Sequence, residues 1–260
     1  RELSSMGVKE LCLVAQDTTR WGQDIYGEYS LDKLLEALCT DKDCNFEWIR
    51  LLYCYPDKIT DSLIAVMKKY DSIAKYIDMP IQHINDDVLL RMNRHGTRET
   101  IVSSVNRLRN AMPDITLRTT VITGFPGETA AEFDELLKFV KETKFDRLGA
   151  FPYSREENTP AYSMPKQIAK KTRESRAERI MEAQSAVHAE KNDALLGKTV
   201  KVLCEGYDKV AEIYYGRSEK DAPEIDSKIY FSARHRVKDG EFVNIEITEV
   251  SDYDLIGREV

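Results

Sequence analysis

Residues 115–129 read Ile-Thr-Leu-Arg-Thr-Thr-Val-Ile-Thr-Gly-Phe-Pro-Gly-Glu-Thr. The β-branched run to Ile122 predicts a strand, and Pro126-Gly127 suits the two central positions of a type II turn. Thr129 and Glu132 have capping-box spacing ahead of Phe133, Leu136 and Leu137, so a helix opens there. Strand, glycine turn and helix N-terminus in that order describe a βα unit. Gly124, with no Cβ at the end of its strand, is expected to let a ligand approach the backbone closely.

Outward from that unit the same alternation recurs. Leu11–Ala15 reads as a buried strand ending at Gln16-Asp17-Thr18-Thr19, and Trp48–Tyr53 as another, stopped by Pro56. Tyr76–Met79 leads into Pro80-Ile81-Gln82-His83, and Leu148–Phe151 into Tyr153-Ser154-Arg155. Apolar residues at helical spacing lie between them: Leu31, Leu34, Leu35 and Leu38, then Leu63, Ile64 and Met67. Successive βα units of this size imply an α/β fold, a parallel sheet covered by helices, either doubly wound or curled as a barrel. In both, chemistry sits beyond the C-terminal ends of strands. Polar residues gather there: Gln16, Asp17, Gln82, His83, Thr123 and Tyr153. Arg118 and Thr120 share strand parity and so point to one face.

Residues 166–196 form a long polar helical stretch with a thin apolar stripe at Ile168, Ile180 and Val187, and Gly197 is placed to end it. Short alternating strands follow at 199–203, 211–215, 229–231 and 242–247, which suggests a small OB-like β-barrel, a fold that often binds RNA. The expected division is therefore an α/β part over residues 1–165, a connecting helix over 166–197 and a β-barrel over 198–260.

The chain has 260 residues, 42% hydrophobic, with a net charge of −7, which argues against a whole-surface attraction to nucleic acid. No apolar run is long enough to span a membrane. The five cysteines, Cys12, Cys39, Cys44, Cys54 and Cys204, make no C-x-x-C pair, and the histidines are scattered, so no metal site is expected. Arg1-Glu2-Leu3 reads as the tail of a helix, and an upstream segment is expected.

Five motifs then fall in the order of one family. Ala15-Gln16-Asp17-Thr18-Thr19, Met79-Pro80-Ile81-Gln82-His83, Met92-Asn93-Arg94, Gly124-Phe125-Pro126-Gly127-Glu128-Thr129 and Tyr153-Ser154-x4-Thr159-Pro160-Ala161 give a chain that resembles the radical S-adenosylmethionine (SAM) methylthiotransferases over essentially its whole length. The resemblance implies a partial (β/α) TIM-like barrel of the radical SAM type, about six units with the first mostly missing, followed by a TRAM β-barrel. It also implies SAM and two 4Fe-4S clusters as cofactors. The family's C-x-x-x-C-x-x-C cluster motif is absent from these residues, so the resemblance implies that no catalytic residue lies in this chain, that cluster chemistry lies upstream of Arg1, and that this segment alone is inert.

Members of the family modify transfer RNA or a ribosomal protein. Leu52-Tyr53-x-Tyr55-Pro56 and Gly216-Arg217-Ser218-x-x-Asp221-Ala222-Pro223-Glu224-Ile225-Asp226 resemble the ribosomal-protein branch, which methylthiolates the β-carbon of an aspartate in small-subunit protein S12. Charge gives an independent argument. Residues 198–260 carry ten Lys and Arg against 14 Asp and Glu, which suits a basic protein better than a phosphate backbone. Transfer RNA is the disfavoured partner, and a cluster-free ribosome- or RNA-binding module is the remaining rival. The resemblance further implies a cytoplasmic enzyme and an electron donor such as flavodoxin or ferredoxin. For site residues, Gln16, Asp17, Gln82, Arg118, Thr120, Gly124 and Glu128 are expected at the cofactor. Tyr153, Arg217, Asp221, Glu224 and Asp226 are expected at the substrate.

Overall fold

The computed structural model describes all 260 residues. A short turn of helix, α1 (Glu2–Ser5), precedes β1 (Glu10–Leu13), α2 (Gln23–Tyr26) and α3 (Leu31–Thr40). Then come β2 (Trp48–Leu51), α4 (Asp61–Lys69), β3 (Ile73–Asp78), α5 (Asp86–Arg91), α6 (Arg98–Ala111), β4 (Thr116–Thr123), α7 (Ala130–Thr143) and β5 (Arg147–Pro152). The five strands pair in the order β1-β2-β3-β4-β5, all parallel. The order never reverses, so right-handed crossovers place every helix on one face. The sheet is therefore an arc of a (β/α) barrel and not a doubly wound sheet, open between β1 and β5.

Side-chain alternation gives the two faces different jobs. Outward residues Ile49, Leu51, Ile73, Ile77, Leu117 and Val121 join Leu35, Leu63, Met67, Leu108 and Leu136 of the helices in a core of 30 buried residues. The helices start where the sequence allows an N-cap. Thr60, Asn85 and Thr97 accept N–H bonds at the starts of α4, α5 and α6. Thr129 and Glu132 form the expected capping box on α7. Many inward residues are polar, among them Glu10, Arg50, Tyr76, Asp78, Arg118, Thr120 and Arg147.

Helix α8 (Lys170–Asp193) packs across β5, β4 and α7. It buries Ile180 and Val187 as expected, but Ile168 lies before the helix, and the stripe is completed by Ala177 and by polar Gln184, His188 and Asn192. Strands β6 (Thr199–Asp208), β7 (Ile213–Ser218), β8 (Ile229–Ser232), β9 (Phe242–Ser251) and β10 (Asp254–Glu259) close into a second barrel in the order β10-β8-β7-β6-β9. Its core is Val202, Cys204, Ile229, Phe231, Val237, Val243, Ile245, Ile247 and Leu255. The β7–β8 loop does not stay with this barrel. It reaches onto the inward face of the large sheet, where Ala222 joins Leu52, Ala74 and Tyr76 in a small buried cluster.

Candidate cofactor and substrate cavities

A cavity of about 290 Å³ opens at the C-terminal ends of the strands. Gln16 comes from the segment after β1, Tyr53 and Tyr55 from that after β2, Gln82 from that after β3, and Thr120 and Phe151 from β4 and β5. Their backbone is pinned by its neighbours. Tyr53 takes a left-handed conformation (φ 57°), held by its N–H donating to Asp78 Oδ2 at 3.1 Å. Gln82 is also left-handed (φ 66°); it bridges to β4, donating to Thr120 O at 2.9 Å and accepting from Ile122 N at 2.8 Å. Its side-chain Oε1 is buried with no hydrogen-bond partner, an acceptor left for something the protein does not supply. Arg94 stacks on the Tyr55 ring at 4.2 Å and donates to Pro80 O at 2.6 Å, which closes one wall.

Of the residues expected at the cofactor, Asp17 and Glu128 bond backbone N–H groups, and Gly124 packs against α8. Asp17 caps the 3-10 turn Thr18–Arg20, accepting from Thr19 N at 3.1 Å and from the Thr19 hydroxyl. Glu128 is 2% exposed; it accepts from the N–H groups of Gly124 and Phe125 and pairs with Arg176 at 2.8 Å. Burial raises its carboxyl above the ordinary range, with Arg176 opposing. It therefore locks the Gly-Phe-Pro-Gly turn against α8 rather than reaching a ligand. Gly124 is left-handed (φ +72°), and a Cβ there would run into the side chain of Arg173, with the Arg173 Cβ at 2.8 Å. The space beside this glycine is filled by Arg173 of α8.

Arg118 occupies the centre of the inward face. It donates to Asp78 Oδ1 at 2.7 Å and lies 3.6 Å from Asp226 Oδ1. Arg118 and Arg147 are in-register partners on adjacent strands, so two like charges sit side by side. The β7–β8 loop answers both. Asp226 faces Arg118 and accepts from the Tyr76 hydroxyl at 2.6 Å, while Asp221 takes Arg147 Nη2 at 2.6 Å. Next to them Arg217 bridges Glu10 and Glu205, each at 2.6 Å, and Arg50 joins Glu10 at 2.6 Å and Glu219 O at 2.7 Å.

This layer corrects the expected substrate surface. Arg217 and Asp221 are 4% and 3% exposed, and the Asp226 side chain is 4% exposed; they bind the two domains together and cannot meet a macromolecule. Burial raises the Asp226 carboxyl. Tyr153 is also buried, edge-on against Phe125 at 5.3 Å. Of the expected substrate residues only Glu224 is exposed.

A second cavity, about 550 Å³, lies between β5, α8 and the second barrel; Arg118, Phe151 and Ile225 line both. Tyr55, Arg94, Phe151, Ile225 and Gln184 carried no expected site role. Tyr55 and Arg94 stood inside quoted motifs, but Ile225 is brought in by a loop from the other domain.

The donor set was tested against the cofactors the family implies. No three His, Cys, Asp or Glu residues come together in metal-binding geometry. Cys54 and Cys204 are buried, and burial pushes both thiols away from the thiolate a cluster needs. An iron–sulfur cluster does not fit the residues of this chain. SAM fits better: the upper cavity offers the unpartnered Gln82 acceptor, the Thr120 hydroxyl and the faces of Tyr53, Tyr55 and Phe151.

The profile of the radical SAM superfamily matches residues 1–140, and that of the TRAM domain matches residues 196–260. The chain belongs to the radical SAM superfamily. It is 47% identical to the ribosomal protein uS12 methylthiotransferase RimO of Clostridioides difficile over 99% of its length and 57% of that protein. It is 48% identical to the protein of the same name from Carboxydothermus hydrogenoformans, over 99% of its length and 58% of that protein. The chain thus spans little more than half the length of the curated relatives it matches. Among solved structures, coproporphyrinogen III oxidase (HemN) from Escherichia coli, a radical SAM enzyme, matches 62% of this chain and 37% of its own at 20% identity, with a TM-score of 0.44.

Proposed function

We propose that these residues are the SAM-holding and substrate-facing part of a methylthiotransferase acting on an aspartate of ribosomal protein uS12. The observation that carries this is the 47% identity to RimO across 99% of the chain. SAM bound in the upper cavity would supply the radical and methyl chemistry of the family. Gln82 Oε1 and Thr120 are the groups available to hold its polar edges, Gln16 lies at the rim, and Tyr53, Tyr55 and Phe151 flank it. Arg118, held by Asp78 and Asp226, fixes a positive centre beside that space and orients a carboxylate there only if one of its present acids yields. The two clusters and their cysteines, and the electron donor, belong to the same proposal, and their ligands would have to come from outside these residues.

The acidic balance of residues 198–260 supports a basic protein as substrate over transfer RNA. The domain division at 165 and 197 is part of this proposal, with the β7–β8 loop as the piece of the C-terminal barrel that meets the catalytic arc. The test is anaerobic incubation of the complete, cluster-reconstituted protein with SAM, a reductant, and either isolated uS12 or bulk transfer RNA. Mass spectrometry should find one methylthio group on an aspartate of uS12. Modification of transfer RNA with uS12 left unchanged would overturn the assignment.

A further inference from the structure

The larger cavity has a chemistry of its own. Its lining combines the apolar Leu148, Phe151, Met181 and Ile225 with polar groups, and two of its carboxylates have no counter-ion. Glu224 is exposed and in no ion pair, while Asp254 spends only Oδ1, on Lys228 N at 2.8 Å. The positive charges at the floor are already matched, Arg118 by Asp78 and Asp226, and Arg147 by Asp221. A cation entering the cavity therefore meets unpaired carboxylates beside apolar side chains, an environment that suits a long side chain with a charged tip.

The interior adds a second, independent sign. Gln184 is 2% exposed; its Nε2 donates to Phe145 O at 2.9 Å, but its Oε1 has no partner. Arg147 Nε is likewise buried and unpartnered. Both atoms lie beneath the surface of residues that line this cavity, and a peptide group, which offers an N–H and a C=O, complements them once these side chains shift toward it. Arg118, Phe151 and Ile225 line this cavity and the upper one, so a chain seated in the larger space leads directly to the smaller.

We infer that this cavity is a specificity subsite for a Lys or Arg of the protein substrate, beside the residue that is modified. The side-chain stem lies along Met181 and Ile225, its cationic tip between Glu224 and Asp254, and the adjoining peptide group meets Gln184 and Arg147. The inference rests on the proposed function for the identity of the modified residue, and on the cavity alone for the preference for a basic neighbour.

The experiment measures binding of short labelled peptides, carrying Lys, norleucine or Glu beside an aspartate, to the complete reconstituted protein. Wild-type protein should favour the Lys peptide over the norleucine peptide by about tenfold at low salt. Glu224→Gln should shrink that ratio, and Glu224→Lys should turn the preference toward the Glu peptide. Glu224 is exposed, so thermal melts of these variants should match wild type. An unchanged Lys-to-norleucine ratio in both variants would sink the subsite. So would competition by spermidine as effective as the Lys peptide, which would make the cavity a site for free amines. If the Lys preference holds while uS12 is not modified, the functional assignment falls and the subsite stands. If uS12 is modified with no Lys preference, the subsite falls alone.

Discussion

Gln82 and His83 are sequence neighbours with opposite commitments. Gln82 turns an unpartnered acceptor toward the upper cavity, whereas His83 is 0% exposed and accepts from Asn85 N–H at 3.0 Å through Nδ1. Burial pushes the His83 imidazole down to about 4, with Arg91 and Arg176 adding to that and Glu132 opposing. Between that value and the ordinary 6.5, the unfolded chain binds a proton that the folded one refuses. Stability therefore rises with pH across this window and is lost as pH falls through it. We predict that His83→Gln removes about 2 kcal/mol of the stability difference between pH 7 and pH 5, read from urea midpoints. An identical difference in wild type and variant would mean the histidine is not buried neutral. Single residues also mark the limit of what the sequence discloses. That Gln82 stands at a strand end was legible, and it lines a cavity. Asp17 and Glu128 were equally plausible, but an Asx turn and a glycine turn consumed their carboxylates. Composition cannot tell an acid that waits for a ligand from one that has found a backbone N–H.

At the scale of elements, the unit from β4 through the turn to α7 was readable almost to the residue, because its signals are local: β-branched alternation, Pro-Gly, and a capping box. What the turn leans on was not. Thr123 Oγ1 donates to Arg173 O at 2.9 Å, and Arg173 Nη1 donates to Tyr153 O, so α8 sits directly over Gly124. We predict that Gly124→Ala costs about 1–2 kcal/mol for the left-handed backbone alone. The added Cβ also displaces the Arg173 side chain in either variant, and Gly124→Val should cost more, because its two further methyls push against Arg173 and a β-branched residue resists the left-handed backbone. Denaturant midpoints of the two variants decide it, and an unperturbed midpoint for Gly124→Val would return the empty Cβ position to a ligand. Helix α8 itself was foreseen as a thin apolar stripe, and half of that stripe proved polar. Gln184, His188 and Asn192 are buried because Phe145 O and Tyr253 O from other elements take their hydrogen bonds. Strand β10 went unread, since Leu255 is its one fully buried apolar side chain and Gly257 interrupts the pattern.

For the whole molecule the decisive structure is the charged layer between the two domains, and none of it follows from periodicity. Arg217, buried, satisfies Glu10 and Glu205 at once. Replacing it with Ala leaves Glu10 with Arg50 alone and leaves Glu205, whose side chain is 28% exposed, without its partner. We predict a loss of about 1–3 kcal/mol, the cost of removing charged hydrogen bonds from a partly solvated network. The change should also uncouple the domains. Trp48 lies edge-on to Phe242 of the second barrel at 4.8 Å, so its fluorescence reports their contact. In wild type the fluorescence and far-ultraviolet dichroism transitions should coincide in urea, and in Arg217→Ala the fluorescence change should come first. Coincident transitions in the variant would show that the layer does not hold the halves together. The same layer bears on how the protein is made. Glu10, Arg50, Tyr76, Arg118 and Arg147 emerge early from a ribosome, whereas Arg217, Asp221 and Asp226 emerge late. During synthesis the inward face must wait in water for its cover, and its charges keep that face hydrated instead of sticky. A face lined with leucines would pack as well in the finished protein, yet it would leave every nascent chain an open invitation to aggregate.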